Sequence, residues 1–354
     1  MKICLVGLPN SGKTTLFNAL TKSEVEVTQY STKGEPNVSV VDVFDERVIK
    51  LSQMYKPKKT IHATIEIIDF AGVSKGTAKE GVFSPDLMTL AKNTDAMALI
   101  IKNFCDDLSG TPDPLGDINT IDEELLLSDL ILTEKRIEKI KTSLKKGQKT
   151  PALQSEEKVL QKVLGQLNNS QPIRNLELSR EEAKIIKGFQ FFTQKPILII
   201  LNSDETNVNK NDKLISVISK LHDVLEVAGK FEMELSILNE EEARIFMDDI
   251  GIAESVRNRL TTSLYRLLGY ISFFTVGKDE VRAWNIRKGD TALDAAGTIH
   301  SDLARGFIRA ECFTYNDLTS LGSEKKIKEM GKFRLEGKNY PVQNGDILSI
   351  RFNI

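Results

Sequence analysis

Short apolar runs recur along this chain at residues 3–6, 38–43, 65–68, 96–101 and 196–201. Each is too short for a buried helix and has the length of a buried strand. Helix-patterned segments such as residues 84–92 separate several of them. Strands alternating with helices predict an α/β fold, a mostly parallel, doubly wound sheet covered on both faces. In such sheets a ligand sits beyond the carboxyl ends of the strands.

The alternation breaks between about residue 121 and residue 193. Leu126, Leu130, Thr133, Ile137, Ile140 and Leu144 follow the 4-3-4-3-4 spacing of a coiled-coil seam. Lys145-Lys146-Gly147-Gln148-Lys149 interrupts it, and Leu153, Leu160, Val163 and Leu167 supply a second stripe. Two stripes joined by a short polar turn predict an antiparallel α-helical hairpin. Its lysines read as a solvated face with i,i+4 glutamate partners rather than as phosphate contacts. Ser179-Arg180-Glu181-Glu182 predicts a capping box at the start of a further helix, which returns the chain to the sheet at Pro196.

From about Tyr270 the pattern changes again. Residues 270–276 and 307–310 read as strands, and Thr291 caps a short helix reaching about His300. Asn344-Gly345-Asp346 makes a turn before a last strand at 347–352. This is a small α+β module without a catalytic cluster.

The candidate chemistry begins at the first strand. Gly7-Leu8-Pro9-Asn10-Ser11-Gly12-Lys13-Thr14 fits GxxxxGK[ST] between a strand and a helix. Glycines let backbone N–H groups turn toward an anion, and a helix start adds positive potential. Gly7, Asn10, Ser11, Gly12, Lys13, Thr14 and Thr15 are therefore candidate phosphate contacts. Lys13 reaches the outer phosphates, and the Thr14 hydroxyl is a ligand for Mg²⁺. Asp69-Phe70-Ala71-Gly72 follows the strand at 65–68 and fits DxxG. There the aspartate holds the metal through water, and the Gly72 amide senses the γ-phosphate. A base-reading [NT]KxD is due after a later strand, and Asn202-Ser203-Asp204-Glu205 stands in its place. A fourth-position aspartate accepts from guanine N1–H and the 2-amino group, and adenine offers neither donor. Glu205 displaces that carboxylate, so Asn202, Ser203 and Glu205 point to ATP over GTP. Asp204, one place early, restores guanine reading if the turn shifts locally.

Composition narrows the setting. A chain of 354 residues exceeds one ordinary core, and its formal net charge of −2 marks neither a nucleic-acid binder nor a membrane-surface protein. Three cysteines, Cys4, Cys105 and Cys312, make no disulfide framework. No apolar run spans a bilayer, and the chain enters its first strand at once, without a signal peptide. The expectation is a cytoplasmic protein with no membrane contact and no specific DNA target.

These elements in this order resemble the YchF / Obg-like ATPase family. The family's GLPNxGKST is matched by Gly7 to Thr15, its EPN by Glu35-Pro36-Asn37, and its shifted NxxE by Asn202 and Glu205. Lys56-Pro57-Lys58-Lys59, Asp113-Pro114, Asp117-Ile118 and Glu123-Glu124-Leu125 also match. So do Val281-Arg282-Ala283-Trp284, Ala296-Gly297-Thr298-Ile299-His300 and Gly306-Phe307-Ile308-Arg309-Ala310-Glu311. The resemblance implies a P-loop NTPase with an OBG-type G domain at 1–120 and 194–269, and a helical hairpin at 121–193. A ubiquitin-like β-grasp TGS domain follows at 270–354. It further implies Mg²⁺-dependent ATP hydrolysis by a monomer that associates with ribosomes. The chain departs from the family in its shortened segment Tyr30-Ser31-Thr32-Lys33-Gly34, where Thr32 is the expected Mg²⁺ ligand. Apolar Val73 follows DxxG, and residues 105–112 lack the histidine proposed elsewhere in the family to act on water. His62, His222 and His300 are expected at packing or surface positions, and no catalytic residue is assigned. Three readings follow: a slow ATP-hydrolysing switch, an ATP-binding adaptor or stress regulator with negligible hydrolysis, and a true GTPase of ribosome assembly.

Overall fold

A computed structural model describes residues 1–21, 37–69, 85–105, 110–252 and 254–353. In chain order its strands are β1 (Lys2–Val6), β2 (Asn37–Asp42), β3 (Lys59–Ile61), β4 (Thr64–Asp69), β5 (Ala96–Asn103) and β6 (Ile197–Ser203). There follow β7 (Asp223–Val227), β8 (Tyr270–Val276), β9 (Glu280–Arg287), β10 (Phe307–Thr314), β11 (Arg334–Glu336) and β12 (Asp346–Phe352). They form two six-stranded sheets among the described residues.

The first sheet has the order β2-β4-β1-β5-β6-β7. The pairs from β4 to β7 are all parallel, with Leu5 opposite Asp69, Asn103 opposite Ser203 and Asn202 opposite Val227. That register brings the ends of β1, β4, β5, β6 and β7 to one edge. β5 and β6 are apolar on both faces because both faces are covered. Their side chains join Cys4, Val6, Ile118, Ile121 and Leu125 in one core. The five apolar runs expected to be strands are β1, β2, β4, β5 and β6, within two residues at each end.

The hairpin is made by helices Pro114–Lys145 and Pro151–Asn168. The first begins earlier than the seam suggests because its opening turns pack on the sheet through Ile118, Ile121 and Leu125. Beyond them Ile137, Ile140, Leu160, Val163 and Leu167 close the hairpin's own core, with Leu126, Leu130, Leu144 and Leu153 packed against it. Asp129 marks the boundary. It is fully buried, and it accepts hydrogen bonds from Phe192 N–H at 3.0 Å, Thr193 N–H at 2.7 Å and the Thr193 hydroxyl at 2.8 Å. The expected capping boxes at Ser179 and Thr291 both form.

The second sheet has the order β11-β10-β12-β8-β9-β3. β8 and β9 are an antiparallel hairpin, β12 runs parallel to β8, and β10 pairs antiparallel with β12 and β11. With helix Ala292–Ile299 laid across it, this is the strand order of a ubiquitin-like β-grasp. The chain divides into two compact units differently from the boundaries read in the sequence. The second unit holds residues 41–65 as well as 258–354. The reason is that β3 adds to the sheet edge in parallel with β9, and Arg47 of helix Glu46–Tyr55 stacks on Phe274 at 5.0 Å. Tyr55 OH also donates to Glu324 at 2.7 Å.

Replacing Asp129 by Ala strands three buried donors at once. Urea unfolding is expected to show a loss of about 3 kcal/mol, and a smaller loss for Asp129→Asn, which keeps one accepting oxygen. A loss below about 1 kcal/mol for the alanine variant would remove Asp129 as the hairpin's anchor.

Candidate functional site: a phosphate loop and its base cavity

The loop between β1 and helix Lys13–Thr21 bends through two left-handed residues, Asn10 at φ 61° and Gly12 at φ 89°. Asparagine tolerates that region better than most side chains. The bend aims the start of the helix back over the strand end. Lys13 Nζ donates to Gly7 O at 2.8 Å and Leu8 O at 3.0 Å, so its ammonium lies within the loop. Burial lowers its pKa, against the raising pull of Asp69.

Asp69 ends β4 beside the loop and is fully buried. Burial pushes its carboxyl up to about 6, while Lys13, Asn37 and Thr14 pull it back down. Neither Asn37 nor Thr14 closes a hydrogen bond of normal geometry to it, and both carboxylate oxygens lack a partner among the described residues. A buried anion with two open oxygens, next to a threonine hydroxyl, is a hard-oxygen donor set suited to Mg²⁺. The described residues contain no cluster of three or more His, Cys, Asp or Glu that would hold a metal alone. Thr14 and Asp69 therefore fit the metal, while Thr32 and Gly72 lie outside the described residues.

Asn202 ties the site together. Its side-chain NH₂ donates to Ser11 O at 3.0 Å and its oxygen accepts from Gly229 N–H at 2.9 Å. One buried amide thus braces the phosphate loop against the turn after β7. There is no room for a larger residue on either side. A Cβ on Gly12 would lie 2.2 Å from Asn202 Nδ2, and one on Gly229 would lie 2.7 Å from Asn202 Oδ1.

Beside this brace opens a cavity of about 610 Å³, lined among others by Thr15, Phe104, Glu205, Lys230, Phe231 and Met233. Glu205 is exposed at its rim. Ser203 also lines it, but its hydroxyl donates to Glu226 at 2.6 Å and accepts from Asn103 at 2.9 Å. Asp204 is committed to its own turn. Its oxygens accept from Thr206 N–H and hydroxyl and from Asn207 N–H and NH₂, which hold its pKa below the usual carboxylate range. A strand-end turn at Asn202–Glu205 is one reading of the sequence; the hydrogen bonds that commit Asp204 to it come from Thr206 and Asn207, and Asp-x-Thr-Asn carries their signal. A second cavity of about 490 Å³ lies by Arg47, Lys332 and Arg334. Those cations are already paired with Asp45, Asp317 and Asp346 respectively. Of the histidines, His222 pairs with Asp122 at 3.2 Å and His300 caps helix Ser301–Arg305.

The Asp69 environment carries a pH signature. A carboxyl held near 6 in the fold against 3.8 unfolded keeps its proton when the unfolded chain has lost it. Stability of the nucleotide-free protein therefore falls as pH rises from about 4 to about 6, by about 3 kcal/mol at most. Asp69→Asn is expected to remove that component, seen as wild-type and variant urea midpoints that converge near pH 4 and separate by pH 7, the variant being more stable. Parallel midpoints across the range would mean that the carboxyl is not held protonated. Gly229→Ala, which presses on the Asn202 brace, is expected to weaken nucleotide uptake in filter binding about tenfold or more; unchanged uptake would discount the brace.

Comparison with known proteins agrees with this geometry. Residues 2–140 match a family model described as 50S ribosome-binding GTPase, and residues 270–353 match the YchF-GTPase_C model, described as a protein of unknown function. The chain is 38% identical to the ribosome-binding ATPase YchF of Bacillus subtilis (strain 168), covering 99% of this chain and 98% of that protein. It is 39% identical to the protein of the same name from Haemophilus influenzae, covering 100% and 99%. The structure of the Schizosaccharomyces pombe YchF GTPase superposes with a TM-score of 0.86 at 31% identity, covering 99% of this chain and 97% of that one. With relatives at this identity matched along nearly the whole of both chains, the chain belongs to the YchF family.

Proposed function

We propose that this protein is a nucleotide-dependent switch that binds ATP in preference to GTP with Mg²⁺, hydrolyses it slowly and associates with ribosomes. The observation that carries the reading is the buried Asp69 carboxylate beside Lys13 and Thr14, whose oxygens have no hydrogen-bond partner among the described residues. Gly7, Asn10, Ser11, Gly12, Lys13, Thr14 and Thr15 cradle the phosphates, and Thr14 and Asp69 hold the metal. When bound, Mg²⁺ neutralises charge on the phosphates. Lys13 holds the outer phosphates, and the Asn202 brace keeps the loop in register with the base cavity. Base choice follows from two carboxylates. Asp204 is spent on its own turn, and Glu205 is one methylene too long to meet guanine where an aspartate would.

The relatives are named as an ATPase in two bacteria and as a GTPase in Schizosaccharomyces pombe. The base cavity supports the first for this chain. Ribosome association is supported by the names of the bacterial relatives and by the description of the family model matched at residues 2–140. Slow turnover follows from Val73 after DxxG and from the lack of a histidine in residues 105–112. Without a group to orient water, the intrinsic rate is expected on the order of 10⁻³ s⁻¹ or below. The same observation favours a second reading, an adaptor whose turnover stays negligible even with its partner. The monomeric state, the cytoplasmic setting and the division into nucleotide domain, hairpin and terminal domain belong to the same proposal.

Competition of unlabelled ATP and GTP against labelled ATP tests base choice. ATP is expected to compete at least about fivefold better, and Glu205→Asp to narrow the gap. Equal competition would return the GTPase reading. Single-turnover hydrolysis with and without ribosomal subunits separates switch from adaptor: stimulation supports the first, and none supports the second.

A further inference from the structure

The tip of the helical hairpin carries charge that the fold leaves unneutralised. Residues 139–155 contain five lysines, Lys139, Lys141, Lys145, Lys146 and Lys149, and no aspartate or glutamate. All five are exposed. The glutamate partners expected from the sequence do not form. The hairpin's ion pairs are Arg136 with Glu156 and Lys162 with Glu182, and none of the five lysines makes one among the described residues.

Helix stability explains only part of this. A helix C-terminus favours cations, so Lys141, Lys145 and Lys146 have a local reason to lie at the end of Pro114–Lys145. Lys149 has none. It directly precedes Thr150, the N-cap of Pro151–Asn168, whose first turn holds no acid. A helix start attracts anions and repels lysine, so Lys149 costs the hairpin stability. No large apolar side chain is exposed between residues 132 and 216. A bilayer surface would ask for apolar or aromatic anchors beside the lysines. A phosphate backbone asks only for cations on a rigid support. The support is rigid here. Sixteen residues separate the Asp129 anchor from Lys145, about 24 Å of helix with its own packed core.

We propose that this tip docks on the phosphate backbone of structured RNA. The proposal deepens the ribosome-associated reading by naming the surface and the chemistry it meets, and rests on that reading for the source of the RNA. Contact is through ammonium and phosphate groups, so it is independent of base sequence and steeply dependent on salt.

The test uses the full-length protein and a labelled RNA hairpin of about 20 base pairs, long enough to offer several phosphates to the tip. The variant replaces Lys141, Lys145, Lys146 and Lys149 by Gln, and a control carries Lys213→Gln and Lys220→Gln. Removing four phosphate contacts is expected to weaken binding about tenfold or more near 0.1 M salt and to flatten the plot of log affinity against log salt by about 3. The control, labelled ATP uptake and the thermal midpoint of the tip variant are expected to stay close to wild type. Equal affinity and slope for wild type and tip variant would overturn the proposal, as would tip-dependent binding to phosphatidylserine vesicles, or to an acidic protein, without RNA binding. Co-sedimentation with ribosomes separates the two layers. If wild type and tip variant sediment equally, the tip proposal falls and the ribosomal reading stands. If wild type fails to sediment yet binds the RNA hairpin through its tip, the reading falls and the tip proposal stands.

Discussion

A buried carboxylate whose oxygens find no hydrogen-bond partner among the described residues, at the end of a strand, is the constraint on which this structure turns. Asp69 destabilises the nucleotide-free fold at neutral pH, because burial opposes its charge more than Lys13, Asn37 and Thr14 together offset it. A fold optimised for stability alone would place an asparagine or an apolar residue there. A cation brought to the Thr14 hydroxyl reverses the balance and makes the same charge an asset. On the proposed function the site gains more from its ligand than a preformed neutral pocket would, and that gain is the free energy available to the proposed switch.

The second constraint is mechanical. The phosphate loop and the base cavity belong to elements nearly two hundred residues apart, Ser11 and Asn202. One amide side chain joins them, using its donor on one and its acceptor on the other. The two glycines at its flanks allow the approach. In the proposed function, this brace fixes the loop that would hold phosphate relative to the cavity that would hold the base. Next to it, the Asp204 carboxylate is held in its own turn by Asn207, and the proposed preference for ATP builds on that commitment.

What was legible in the sequence was local. The phosphate loop announced itself because strand, glycines and helix start follow one another within twenty residues. The hairpin seam and the boxes at Ser179 and Thr291 were readable for the same reason. Contacts across long separations were not. The three residues of β3 join a strand more than two hundred positions later, and nothing in Lys59-Thr60-Ile61 names that partner. Residues 41–65 were therefore read with the nucleotide domain. Asp129 sits among seam residues with nothing nearby to mark it, because its three donors come from Phe192 and Thr193, more than sixty positions later. The pattern also gave Asn202 a place near the base but not its role as a brace, which needs the loop on one side and Gly229 on the other.

The most direct test of the central claim counts protons. Calorimetric titration of Mg²⁺–ATP into the protein at pH 6, repeated in buffers of different ionisation heat, reports the protons released on binding. If Asp69 is half protonated at that pH and the metal draws its pKa down, wild type releases about half a proton more than Asp69→Asn. Equal release from the two proteins, or tight ATP binding by wild type that does not depend on Mg²⁺, would contradict the account.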